Sequence, residues 1–186
     1  MKKISYLDLI NNSPSSDDVK KKHRRPVRVI LDNIRSLYNV GSIFRTSDAA
    51  GVEKIYLCGI TGVPPRAEIH KSALGADKSV PWEYHKNPVE IVQQLKSEGF
   101  RIVILEHTDQ PENYSEANFE FPLCLVVGHE IIGVSEEIVA LADSAIEIPM
   151  FGVKQSLNVS VAYGIAIYEI VRQLGMNREI GKKLNE

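Results

Sequence analysis

The chain has 186 residues, 44% hydrophobic and 25% charged, which suits one main globular domain with a substantial core. A formal net charge of -2 excludes a polycation, so affinity for nucleic acid has to come from locally clustered charge or from the combined surface of a dimer. The opening MKKISYLDLI lacks the uninterrupted apolar run of a signal peptide, and no segment reaches the roughly 18 apolar residues of a membrane span, so a soluble cytoplasmic protein is expected. In chain order, residues 1–25 read as a flexible basic arm, whose stretch NNSPSSDDVKKKHRR has no apolar periodicity and leads into Pro26. Residues 26–175 form the expected domain and 176–186 a C-terminal tail. Short apolar runs then alternate with helical patterns. VRVIL is a strand, NVGSIFRTSDAA a helix, KIYLCG a strand, PVEIVQQLKSEG a helix, RIVILE and LCLVVG strands, SEEIVALAD a helix, AIEIP a strand, and the chain ends in one long apolar helix. The order predicts an α/β fold, a mostly parallel sheet flanked by helices. Asn39 and Ser135 are placed as N-caps and Gly51 as a C-cap, while Cys58 and Cys124 sit in strand-like runs as buried reduced thiols.

Ligands of such sheets bind beyond the carboxyl ends of strands, which directs attention to the segments after Leu31, Val127 and Pro149. In the first, Gly41, Arg45 and Asp48 share one helix face. They make either a surface Arg45–Asp48 pair, or a glycine opening space beside a guanidinium aimed at phosphate or a developing oxyanion. In the second, VVGHEIIGVSEE, Gly128 and Gly133 bracket His129 and Glu130, and Gly128 permits close approach by a ligand. Neither GxGxxG nor GxxxxGK[ST] is present, so neither a dinucleotide fingerprint nor a P-loop is supported. The third, MFGVKQSLNVSVAYG, crowds polar residues where one cap, Asn158, suffices, and the helix after it is apolar over too much of its circumference for a surface helix.

Together, Asn33 with NVGSIFRTSDAAG, LCLVVGHEIIGVS, and IPMFGVKQSLNVSVAYGIAIYE resemble the three motifs of the SpoU branch of the SPOUT methyltransferases, from about Pro26 to Leu174. The resemblance implies a fold with a deep C-terminal trefoil knot, a homodimer, and 2'-O-methylation of ribose in tRNA or rRNA with S-adenosylmethionine, without metal or membrane. Carried over by position, it implies cofactor contacts at Gly128, Ile148 and Leu157. It places Asn33, Arg45, Glu130, Ser156 and Asn158 in the polar catalytic neighbourhood, with the arginine reaching the partner subunit's pocket. His129 stands where family members usually have Asn, and Ile131 where many have Gly. The alternative is a knotted RNA-binding relative that has lost the chemistry. RNA phosphates would be met by Lys20, Lys21, Lys22, Arg24 and Arg25 of the arm, and by Arg66 and Lys71 of PPRAEIHKSALGADK.

Overall fold

Strand β1 (Arg25–Asp32) sends Val27, Val29 and Leu31 to one face of a sheet and Ile30 to the other, and all four are fully buried. A strand apolar on both faces belongs in the interior of a parallel sheet covered on both sides. The computed structural model describes residues 1–5, 7–8 and 24–183, with side chains up to 175. The expected arm contacts Lys20, Lys21 and Lys22 lie outside the described residues.

The other strands are β2 (Val52–Cys58), β3 (Trp82–His85), β4 (Arg101–Leu105), β5 (Glu112–Asn113), β6 (Leu123–Val127) and β7 (Ser144–Glu147). They pair in the order β3-β2-β1-β6-β4-β7-β5, every pairing parallel. One face is covered by α1 (Leu37–Ala50) and α6 (Val159–Lys183), through Val40, Ile43 and Phe44 on the first and Tyr163, Ala166, Ile167 and Ile170 on the second. The opposite face packs α4 (Pro88–Ser97) and α5 (Glu136–Val139) through Ile91, Val92, Leu95 and Ile138. The hydroxyls of Ser47 and Tyr163, both fully buried, lie 2.6 Å apart and join α1 to α6. Among the described residues no helix is long and apolar enough to cross a membrane.

Several local expectations are corrected. Ser36, not Asn39, is the N-cap of α1: its hydroxyl accepts the N–H of Asn39, which already lies in the first turn. Gly51 ends α1 in the left-handed region, as its place in the sequence suggests. Ser135 sits at the cap position of α5, but its hydroxyl accepts nothing; its backbone N–H instead donates to Asp32. The SEEIVALAD pattern yields only four helical residues, because the chain turns early into β7, where Asp143 accepts the N–H of Ile102. Strand β1 starts at Arg25, and α6 runs on to Lys183. Four short elements have no counterpart in the expected order: α2 (Ala67–Ala73), α3 (Ala76–Ser79) and the two edge strands β3 and β5. Each is too short, and buries too few side chains, to show a period.

Candidate active site

The loops after β4, β6 and β7 and the start of α6 close around a cavity of about 370 Å³. Gly128, Glu130, Ile148, Ser156, Leu157 and Asn158, drawn from two sequence motifs, all line it. Asn33 and Arg45 do not.

Glu130 is held from below by the start of α1. Its carboxylate accepts backbone N–H groups of Arg35 at 3.0 Å and Ser36 at 2.9 Å, and the side-chain amide of Asn39 at 2.8 Å. Partial burial pushes the carboxyl up, but these three donors outweigh it and hold Glu130 below the usual carboxylate range. An anion at the amino end of a helix also opposes the positive end of its dipole. Asn39, only 9% exposed, turns its carbonyl oxygen to the side-chain amide of Asn158 at 3.1 Å. Asn158 caps α6 through Oδ1, which accepts the N–H of Ser160 at 3.0 Å and its hydroxyl at 2.7 Å. A chain of hydrogen bonds thus runs from the start of α1 through Glu130 and Asn39 to the start of α6.

The glycines act through close chain packing. A Cβ on Gly128 would run into the backbone of Gly133 and Val134, so the near neighbour this glycine admits is first the chain itself. His129 and Gly133 exchange two backbone hydrogen bonds, and Nδ1 of His129 accepts the N–H groups of Ile131 at 3.0 Å and Ile132 at 3.4 Å. An accepting Nδ1 puts the ring proton on Nε2, so the imidazole here does what an Asn side-chain oxygen does in a turn. A Cβ on Gly41 would meet Ser72 and the carbonyl of Ile69; this glycine admits α2 against α1 and does not open space for Arg45.

Arg45 is exposed, and among the described residues its guanidinium has no hydrogen-bond or ion-pair partner. The surface pair with Asp48 is absent, because Asp48 accepts from Ser79 at 2.8 Å and lies 3.5 Å from Arg24. Asn33 turns the chain after β1 in the left-handed region, at φ 59°, and both ends of its amide are taken within the fold. Oδ1 accepts the N–H of Ile60 and Nδ2 donates to the buried Asp32.

Four residues of the cavity, Leu105, Glu106, His107 and Glu147, lie outside the sequence motifs. Glu106, at the end of β4, accepts the N–H of Val134 at 2.8 Å. His107, next to it, bonds to Glu147 at 3.0 Å and to the backbone carbonyl of Gln155 at 3.0 Å. The hydrogen bond to Glu147, working against partial burial, raises His107 above the ordinary histidine range. The rule that ligands sit beyond strand carboxyl ends points to this loop as well, and was the one available signal.

Of the expected RNA contacts, Arg66 and Lys71 are exposed on and beside α2. Arg24 is taken up inside the fold, with a side chain 12% exposed that donates to the carbonyls of Val52 at 3.1 Å and Ser79 at 2.8 Å. Arg25 belongs to β1, its N–H bonded to Gly51.

The model of the SpoU rRNA Methylase family matches residues 26–168. The tRNA (guanosine(18)-2'-O)-methyltransferase of Aquifex aeolicus is 39% identical over 171 residues, covering 91% of this chain and 80% of that protein. The 23S rRNA (guanosine-2'-O-)-methyltransferase RlmB of Vibrio vulnificus is 35% identical over 162 residues, with 87% and 65% covered. Among solved structures, the A. aeolicus TrmH/SpoU tRNA modifying enzyme superposes with a TM-score of 0.78 at 37% identity, over 87% of this chain and 84% of that one. The AdoMet-bound rRNA methyltransferase of Sinorhizobium meliloti gives 0.76 at 29% identity, over 84% and 60%. The match takes in the whole sheet and the three loops that build the cavity: this chain belongs to the SpoU rRNA methylase family.

Proposed function

We propose that the chain is an S-adenosylmethionine-dependent RNA methyltransferase that modifies a ribose 2'-hydroxyl in tRNA or rRNA. The observation that carries this reading is the convergence of Gly128, Glu130, Ile148, Ser156, Leu157 and Asn158 on one cavity. Its volume falls within the roughly 300–1,000 Å³ of small-molecule sites. Apolar Leu105, Val127, Ile148 and Leu157 suit the face of an adenine, and the carboxylates of Glu106 and Glu147 suit hydroxyl and ammonium groups. The knotted threading expected of the fold accords with loops from three strands meeting the start of α6.

Bound there, S-adenosylmethionine supplies an electrophilic methyl group on a sulfonium. The chain's own work is to hold the ribose in line with it and to steady the charge that develops on the 2'-oxygen. Arg45, whose planar fork has no partner among the described residues, binds the adjacent phosphate and stabilises the forming alkoxide. A guanidinium donates hydrogen bonds and does not take up a proton, so the hydroxyl proton leaves to phosphate or water. Because Arg45 does not line the cavity of its own chain, it serves the cavity of a second copy in a homodimer. Val161 and Tyr168, seven apart on α6 and 51% and 53% exposed, give that dimer an apolar face, joined by the exposed Phe151 and Val153. The exposed Arg66 and Lys71 meet RNA phosphate, and a cytoplasmic location suits an enzyme acting on such RNA.

Incubation with S-adenosylmethionine carrying a labelled methyl group, against total tRNA and against rRNA fragments, tests the proposal. Label in one of the two RNA classes is expected. Cofactor binding without transfer to either would favour the non-catalytic relative.

A further inference from the structure

His107 bonds in two directions at once. Its Nδ1 lies 3.0 Å from Oε2 of Glu147, at the end of β7, and its Nε2 lies 3.0 Å from the carbonyl oxygen of Gln155. A carboxylate and a carbonyl both only accept, so both ring nitrogens have to donate, and only the imidazolium carries two N–H groups. The second bond also stands alone. Among the described residues it is the only hydrogen bond made by the segment 148–157, which brings Ile148, Ser156 and Leu157 to the cavity and is exposed from residue 151 onward.

We propose that His107 is a proton-dependent latch on this segment: its imidazolium ties the loop to the ends of β4 and β7 and so positions Ser156 and Leu157 for the cofactor, and loss of the proton gives up one of the two bonds. His107 is thereby a positioning residue, and the proposal rests on the assignment of the cavity to S-adenosylmethionine. The charged groups facing the ring are acidic on both flanking strands, Glu147 from β7 and Glu106 from its own, while the loop offers the carbonyl of Gln155. The bond from Glu147, opposed by partial burial and helped by Gln155 and Glu106, keeps the ring charged to a pH above the ordinary 6.5. A raised value means that the latch is fully present below the ordinary value and is lost as pH rises through the raised one.

The test is calorimetric titration of S-adenosylmethionine into the full chain from about pH 6 to about pH 9, for wild type, His107→Gln and Leu157→Arg. Wild-type affinity is expected to fall about fivefold across the range, the worth of one net hydrogen bond. His107→Gln, which still donates one bond but cannot titrate, is expected to bind with a single pH-independent affinity. Parallel pH profiles, or a flat wild-type profile, would overturn the latch. Leu157→Arg reports on the site itself and is expected to abolish binding at every pH; normal binding by this variant would overturn the placement of the cofactor. The His107 ring, followed by NMR in the cofactor-free protein, separates the two failures. It is expected to titrate above the ordinary range and to return to it in Glu147→Gln, and an ordinary titration in wild type would sink the latch without touching the site.

Discussion

The side-chain amide of Asn158 donates a hydrogen bond, 3.1 Å long, to Oδ1 of Asn39, 119 residues earlier in the chain. The other end of the Asn39 amide donates to Glu130, so one nearly buried side chain couples the starts of α1 and α6 to the loop after β6. The carboxylate can only accept, which settles which way round the Asn39 amide stands.

Asn39→Ala removes both bonds and leaves Glu130 and Asn158 each short of a partner. A loss of about 1–3 kcal/mol in stability is expected in urea unfolding, together with weaker binding of S-adenosylmethionine. Wild-type stability and affinity in this variant would show that the three loops are organised without it.

Glu130 gives the fold a pH dependence of defined sign. Its carboxyl is held below the usual 4.5, so its contribution is complete above that value and disappears as pH falls through the lower folded one. Glu130→Gln should therefore be less stable than wild type near neutrality, by about 0.5 kcal/mol after solvent screening, with the difference vanishing on the acid side. Thermal melts across the acid range check this, and a gap that widens toward low pH would reverse the assignment.

Arg45 is free of partners within the described fold, so Arg45→Ala should leave the melting temperature and cofactor affinity unchanged. Methyl transfer should drop by about 10²–10³-fold, as when a donor to a developing oxyanion is removed. Near-normal turnover would end its proposed role.

The basic residues separate into two kinds. Arg66→Ala with Lys71→Ala should lower the salt slope of RNA binding by about 0.7–0.9 for each lost phosphate contact, without changing stability. Arg24→Ala, which cuts the fold's own bonds to Val52 and Ser79, should cost about 1–2 kcal/mol in unfolding and leave that slope alone. Equal effects of both on the slope would put Arg24 back on the RNA surface.

Much of this site was legible from residue patterns because it is built from long apolar runs that end in unusual loops. VRVIL and LCLVV, short and rich in β-branched residues, read as buried strands, and QSLN at the start of a long apolar helix is more polar than a cap needs. The parts that stayed hidden depend on partners distant in sequence. Asn39 looks like a cap because caps and network amides share one residue type, and only the fold brings Glu130 and Asn158 to its two ends. Gly41 looks like an opening beside Arg45 until α2, too short to show a period, is found against it. His107 shows no spacing to any other polar residue, since its partners lie on β7 and in the loop after it.

The central claim is a methyl group placed on a ribose oxygen. Nucleoside mass spectrometry of tRNA and rRNA fragments after reaction with the protein and S-adenosylmethionine tests it most directly. The expected product is a nucleoside whose added methyl mass stays with the sugar on fragmentation and which blocks alkaline cleavage at its position. Added mass that leaves with the base would contradict the account.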